Sequence, residues 1–169
     1  MIKMRLYAAI LAVVMFVAMM PWTATADNVT EVSTPSELRV ALESDAGAHI
    51  RLKKDIIFTK SNAVDVNDGV VAGRGNYTID LNGFTVKYHH YIAGREFSDG
   101  GTPIRAGHAK SLVINGPGNL VGGTHGLEQG DQFCSLTVNN VMVKGIMGYG
   151  IRITGGLVYL NGGDIVGNF

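Results

Sequence analysis

The clearest candidates for chemistry are histidines and the aromatic residues beside them. Two of the five histidines lie in the segment Tyr88-His89-His90-Tyr91. Aromatic rings stack on sugar rings and imidazoles bind metal ions, so this segment is a candidate carbohydrate-binding or metal-binding loop. Adjacent side chains on a strand point to opposite faces, which weakens the metal interpretation. An ordinary exposed loop is the simpler explanation, and Tyr88, His90 and Tyr91 stay as binding candidates.

The chain has one cysteine, Cys134, which cannot form a disulfide within the chain. A small apolar side chain buried in a strand explains it better than a reactive thiol. The segments Asp68-Gly69 and Gly162-Gly163-Asp164 resemble pieces of calcium-binding glycine and aspartate repeats. Those repeats need tandem nonapeptide copies, which the sequence lacks, so turn formation is sufficient to explain both segments.

The N-terminus has the organisation of an export signal. Lys3 and Arg5 precede an apolar run over residues 6–20, and Ala24 and Ala26 stand at the −3 and −1 positions of a cleavage site before Asp27. The run is shorter than the roughly 20 residues that a transmembrane helix needs. We therefore expect residues 1–26 to be a cleaved signal peptide, no membrane span to remain, and the protein to be secreted, periplasmic or displayed at the cell surface.

Charge narrows the classes of partner. Without Lys3 and Arg5, 12 basic residues stand against 14 acidic ones, a net charge of about −2. Nucleic acid and anionic lipid require a concentrated basic face, so neither is an expected partner. The 23 glycines lie between apolar residues and favour short strands joined by tight turns.

One segment of the mature chain predicts a helix. Thr34-Pro35-Ser36-Glu37 combines a capping threonine, a proline at the first helical position and a glutamate three residues after the cap. Leu38, Ala41 and Leu42 then form one apolar stripe, and Gly47 marks the exit. A helix this short needs an apolar surface to lie on, so we assign residues 27–47 to an N-terminal cap.

From residue 48 onward apolar residues alternate with polar ones, and one four-residue motif recurs. The motif is an apolar residue, any residue, an apolar residue and an asparagine. Its asparagines lie 33, 24 and 22 residues apart, a spacing typical of repeat proteins. The four copies are Ile79-Asp80-Leu81-Asn82, Leu112-Val113-Ile114-Asn115, Leu136-Thr137-Val138-Asn139 and Val158-Tyr159-Leu160-Asn161.

This pattern predicts a coil of parallel strands over residues 48–169. Each turn of the chain would stack about 4.8 Å from the previous one, so that inward apolar residues form continuous columns. At the corner, asparagine tolerates left-handed backbone angles, and its amide can bond to the amide in the next coil. We therefore predict a structural ladder of Asn82, Asn115, Asn139 and Asn161.

The segment Ser33-Thr34-Pro35-Ser36-Glu37-Leu38-Arg39-Val40-Ala41-Leu42, followed by Ile50-Arg51-Leu52-Lys53-Lys54-Asp55-Ile56, resembles the capping helix and first coil of right-handed parallel β-helix proteins of the pectate-lyase-like superfold. Tyr77-Thr78-Ile79-Asp80-Leu81-Asn82-Gly83 resembles their early coils. The resemblance covers about residues 30–169 and implies an all-β, right-handed parallel β-helix with a short N-terminal helix. The group includes lyases, hydrolases, adhesins and surface proteins without enzyme activity.

Members of this group usually continue for more coils and end in a cap, whereas this sequence stops in the middle of the pattern. An uncapped final coil exposes strand edges and an apolar cross-section. We therefore expect a truncated product or fragment of a longer β-helix protein, or an end that a partner or a second copy covers by end-to-end association.

The resemblance also implies candidate active sites. For a lyase it nominates Glu128, Asp131 and Asp164 for a calcium ion and Arg152 or Lys144 as the base. Calcium takes six to eight oxygen ligands, and only Glu128 and Asp131 are close in sequence. For a polygalacturonase-type hydrolase, Gly107-His108-Ala109 and Arg152-Ile153-Thr154 are partial matches, but both acidic segments are missing, and this chemistry needs two carboxylates.

The main hypothesis is therefore an exported, non-catalytic β-helix module that binds polysaccharide or another cell-surface component and requires no cofactor. The alternative is a lyase or hydrolase acting on an acidic polysaccharide, with calcium as the cofactor in the lyase case. The groove of such an enzyme would run along one strand face near five residues. Among them, His108 is a further catalytic candidate, and Arg105 and His125 are further sugar-binding candidates. The five residues are Arg105, His108, His125, Asp131 and Arg152.

Overall fold

The computed structural model describes residues 28–59, 61–64, 68–89, 101–145 and 148–167. The predicted signal peptide and the candidates His90 and Tyr91 lie outside these residues. The elements are, in chain order, β1 (Val29–Val32), α1 (Pro35–Glu43), β2 (Ala48–Leu52), β3 (Ile56–Phe58), β4 (Asp68–Val71), β5 (Asn76–Asp80), β6 (Thr85–Tyr88), β7 (Thr102–Arg105), β8 (Ser111–Asn115), β9 (Asn119–Gly122), β10 (Leu127–Gln129), β11 (Ser135–Asn139), β12 (Met142–Gly145), β13 (Ile151–Ile153), β14 (Leu157–Asn161) and β15 (Ile165–Gly167).

Each turn of the chain adds one strand to each of three parallel sheets. The first sheet has the order β1-β2-β5-β8-β11-β14, the second β3-β6-β9-β12-β15 and the third β4-β7-β10-β13. One coil thus passes from the first sheet to the second and then to the third before the chain rises to the next coil. Equivalent strands pair in parallel, which confirms the predicted parallel β-helix.

The core consists of columns of apolar side chains that run through successive coils. Ile50 pairs with Ile79, Ile79 with Ile114, and Ile114 with Val138. None of these four side chains is more than 2% exposed. Branched aliphatic residues fit a pleated, buried surface well, so alternation along each strand is sufficient to fill the interior.

The helix α1 covers the first coil as the capping pattern predicts. Thr34 Oγ1 accepts a hydrogen bond from the Glu37 N–H at 3.2 Å, and the Glu37 carboxylate accepts one from the Ser33 N–H at 2.7 Å. The buried stripe of the helix is Leu38, Ala41 and Leu42, and it packs against β2 and β4. Within the described ranges, no helix combines the length and apolar character needed to cross a membrane.

The corner ladder exists, but its first member is Asp80 and not Asn82. Asn115 Nδ2 donates to Asp80 Oδ1 at 3.0 Å, Asn139 Nδ2 donates to Asn115 Oδ1 at 2.8 Å, and Asn161 Nδ2 donates to Asn139 Oδ1 at 2.8 Å. Every amide therefore donates toward the preceding coil, and the row ends on a carboxylate. We call Asp80, Asn115, Asn139 and Asn161 the corner ladder.

Asn82 is excluded because a second frame in its coil, two residues earlier, has the same apolar spacing but ends in an aspartate instead of an asparagine. The structure aligns Ile79 with Ile114 and Asp80 with Asn115, so the frame that begins at Tyr77 is the correct one. Leu81 is a further buried residue at the corner, and the chain turns only at Asn82, where φ is 53°. Asn82 Nδ2 donates instead to the Leu52 carbonyl at 3.2 Å.

Candidate binding face on the third sheet

The outer face of the third sheet brings charged residues from successive coils into one row. Arg105 in β7 aligns with Glu128 in β10, and Glu128 aligns with Arg152 in β13. In parallel strands, aligned residues present their side chains to the same face of the sheet. Asp68, at the start of β4, aligns with Thr102 and not with Arg105, but its carboxylate reaches the Arg105 guanidinium group. We call Asp68, Arg105, Glu128 and Arg152 the arginine row.

Opposite charges alternate along the arginine row. Arg105 Nη1 donates to Asp68 Oδ2 at 3.2 Å, and Arg105 Nε lies 3.9 Å from Glu128 Oε1. Arg152 Nη1 donates to the same Glu128 oxygen at 3.1 Å. The side chains of Asp68 and Glu128 are only 4% and 11% exposed, whereas those of Arg105 and Arg152 are 40% and 46% exposed. The carboxylates thus lie beneath the guanidinium groups, which face the solvent.

A cavity of about 480 Å³ lies on one side of Arg105, and His108 and Asp131 line it. We call it the His108 cavity. His108 Nδ1 lies 3.5 Å from Asp131 Oδ2, and Asp131 Oδ1 accepts a hydrogen bond from the Phe133 N–H at 2.9 Å. Gly130 lies beside Arg105, since a Cβ there would be 3.3 Å from Arg105 Nη2. The Phe133 N–H thus fixes the Asp131 carboxylate beside the exposed imidazole, at the distance of an ion pair and not of a hydrogen bond.

A second cavity of about 300 Å³ lies on the other side of Arg105, and His125, Glu128 and Arg152 line it. We call it the His125 cavity. The His125 ring stacks on the Tyr149 ring, with 5.6 Å between the centroids and 20° between the planes. His125 Nδ1 accepts a hydrogen bond from the Tyr149 N–H at 3.3 Å.

The electrostatics of the His125 cavity favour a neutral histidine. Burial lowers the pKa of His125 most strongly; the Glu128 charge opposes this effect and the Arg152 charge adds to it. Since Nδ1 accepts a hydrogen bond, the proton of the neutral ring resides on Nε2.

The structure places all five residues of the predicted groove on this face. Arg105, His108 and Asp131 line one cavity, and Arg105, His125 and Arg152 line the other. The face is thus the best candidate for a functional site among the described residues.

Three other candidates lie elsewhere. Lys144 belongs to β12 in the second sheet, so it is not next to Arg152. Asp164 is an exposed residue of the turn between β14 and β15. Tyr88, a predicted sugar-binding residue, is wholly buried in the core. Its position at the end of β6 turns the ring inward by the same alternation that fills the columns.

The three residues nominated for calcium do not come together. Glu128 accepts a hydrogen bond from Arg152, Asp131 faces His108, and Asp164 lies at a different corner of the coil. In the part of the chain that the structure describes, no three histidine, cysteine or acidic side chains form a group able to hold a metal ion.

Sequence reasoning missed Asp68 and Tyr149. Asp68 looked like a turn residue, but it begins a strand and bonds to Arg105, 37 residues further along the chain. Opposite charges one coil apart were the available signal, as they also are for Glu128 and Arg152, which are 24 residues apart. Tyr149 gave a weaker signal, a lone aromatic residue between Gly148 and Gly150.

Comparison of the chain with protein-family models, with curated proteins and with solved structures finds no significant match.

Proposed function

We propose that the protein is an exported β-helix module, of the pectate-lyase-like superfold that its sequence resembles, and that it binds an acidic polysaccharide along the outer face of the third sheet. The observation that carries the proposal is the arginine row. Two half-exposed guanidinium groups are held over buried carboxylates, and this face carries both cavities.

Guanidinium groups suit carboxylates because they offer several N–H donors in a planar fork. Asp68 and Glu128 each engage part of these donors and fix the two arginines in place, which lowers the entropy lost on binding. Arg105 and Arg152 lie two coils apart, which corresponds to about 9.6 Å along the axis. That separation is on the scale of a disaccharide in an extended chain.

Binding can be measured by calorimetry on the exported protein with polygalacturonate, alginate and a neutral glucan. We expect the acidic polymers to bind, more weakly as salt increases, and the neutral one to bind poorly. Arg152→Gln should weaken binding at least about tenfold, since it removes charge-assisted hydrogen bonds.

Arg51→Gln is the matched control. Arg51 is 44% exposed and lies 3.7 Å from Asp80, but it belongs to the first sheet. Equal losses in the two variants, or equal binding of neutral and acidic polymers, would contradict the proposal.

A polysaccharide lyase is the second candidate function, and the contact between His108 and Asp131 favours it. An imidazole with a carboxylate beside Nδ1 can accept a proton at Nε2, and Arg105 lines the same cavity. Release of unsaturated sugar, detected by ultraviolet absorbance, would establish this activity. His108→Gln should then abolish the product and leave polymer binding intact. A hydrolase is less favoured. Its chemistry needs two carboxylates that act as acid and base, and the two carboxylates of this face, Asp68 and Glu128, are both paired with Arg105.

A further inference from the structure

We propose that the polymer crosses the third sheet obliquely, from the His125 cavity past Arg105 into the His108 cavity, so that two subsites share one arginine. This inference rests on the proposed function and adds to it the path of the polymer and the length of oligosaccharide that fills the site. All four residues of the arginine row line the His125 cavity, so a polymer that followed the helix axis would stay in that cavity.

The two cavities lie at opposite ends of the strands of the third sheet. Asp68 and Thr102, which begin β4 and β7, line the His125 cavity. Val71, which ends β4, and Gly107, which follows β7, line the His108 cavity. Because the strands are parallel, their starts share one edge of the sheet and their ends share the other. A ligand that occupies both cavities must therefore cross the strands.

Arg105 is placed to serve both cavities, because it lines each of them. Its Nη1 donates to Asp68, which lines the His125 cavity. Its Nη2 lies beside Gly130, which lines the His108 cavity. Among the described residues, no group accepts a hydrogen bond from this Nη2. The donors of Nη2 are thus available to a ligand carboxylate at the border between the two cavities.

Both cavities also carry uncharged groups that suit sugar hydroxyls. In the His125 cavity, Thr124 Oγ1 accepts a hydrogen bond from the Gly101 N–H at 3.2 Å, so the hydroxyl can still donate its own proton. In the His108 cavity, the exposed Gln132 brings an amide donor and a carbonyl acceptor. Thr154 Oγ1 donates to the Gln129 carbonyl at 3.2 Å and can still accept. Sugar units on either side of Arg105 would therefore find hydrogen-bonding partners.

The dimensions set the length of the ligand. Volumes of about 300 and 480 Å³ lie in the lower part of the range for ligand sites, so each cavity fits a sugar unit or two. Thr102 and Gly107 are five residues apart in sequence, so the two edges of the sheet are at most about 17 Å apart. Since about 9.6 Å is on the scale of a disaccharide, this width corresponds to about four sugar units.

Two variants that leave the arginine row intact test this path. Thr124→Val removes a hydroxyl group from the His125 cavity, and Gln132→Ala removes an amide from the His108 cavity. Thr137→Val, on β11 in the first sheet, is the matched control. In calorimetry with a galacturonate tetramer, each of the first two variants should bind about two- to tenfold more weakly, and the control should be unchanged. Affinity should rise with oligomer length up to about four units and then level off.

Gln132→Ala decides between the two paths, and its exposed side chain makes it the variant least able to disturb the fold. If it binds the tetramer as tightly as the unchanged protein while Arg152→Gln weakens binding, the polymer follows the axis in the His125 cavity. That result overturns the oblique path and leaves the proposed function standing. A loss confined to Gln132→Ala also overturns the path, because the ligand would then occupy the His108 cavity alone. Absence of binding by every acidic oligomer and polymer overturns the proposed function itself.

Discussion

Asn139 is the point at which the corner ladder can be tested. Its amide donates to Asn115 and accepts from Asn161, both at 2.8 Å, so Asn139→Ala removes two hydrogen bonds. Each contributes about 0.5–1.5 kcal/mol. The ladder is partly accessible to water, so we take the lower half of that range. The expected loss is about 1–2 kcal/mol of unfolding free energy, or about 3–8 °C in Tm for a domain of this size.

Asn161→Ala removes only one ladder bond, the one its amide donates to Asn139, and should cost about half as much. Asn140→Gly is a control next to the ladder: Asn140 has a φ of 52°, which glycine adopts without strain, so this change should be neutral or slightly stabilising. Urea denaturation followed by circular dichroism measures all three variants. If Asn139→Ala costs no more than Asn161→Ala, the ladder does not act as a chain of bonds between coils, and the reasoning is wrong.

Three further predictions concern single positions. Burial and, to a smaller extent, Asp131 raise the pKa of Cys134 to about 11, so thiol reagents near neutral pH should label the native protein at least about a hundredfold more slowly than the unfolded chain, and equal rates would contradict this. Burial lowers the pKa of His125 below its usual 6.5, so the unfolded state takes up the proton first as pH falls. The urea concentration at the midpoint of unfolding should therefore fall as the pH is lowered from about 7.5 to 5.5, and this fall should be smaller in His125→Gln. An equal fall in the variant would contradict the role given to His125. A Cβ at Gly122 would overlap the His125 carbonyl, whereas Gly83 has open space but a φ of 86°. Gly122→Ala should therefore cost about 3 kcal/mol and Gly83→Ala about 1 kcal/mol in thermal unfolding, and the reverse order would refute the steric argument.

Local chemistry made the helix and the strands predictable. Thr34 and Glu37 define the start of α1 because they satisfy backbone amides nearby in the chain. Alternation placed Ile50 and Ile114 inward because neighbouring side chains on a strand point to opposite faces. Both signals need only a few consecutive residues, so a single sequence is sufficient to reveal them.

The register between strands and the burial of individual side chains were harder to predict from the sequence, because both depend on residues in other coils. Two frames with the same apolar spacing overlap around Asn82, and only pairing with the next strand selects the one that ends at Asp80. Tyr88 looked like part of a sugar-binding loop, yet the end of β6 places it in the core. The alignment of Arg105 with Glu128 depends on the length of the coil between their strands, which contains β8, β9 and three turns, and the sequence alone does not convert that length into an alignment.

The corner ladder and the arginine row set different rules for how such a solenoid can grow. Asn115 and Asn139 each donate toward the preceding coil and accept from the following one, so duplication of either of their coils would join its neighbours through the same amide contacts. The arginine row alternates in sign from coil to coil, so one duplicated coil would set like charges side by side. Expansion along this face is therefore favoured in steps of two coils, each step adding one more cation to the exposed surface.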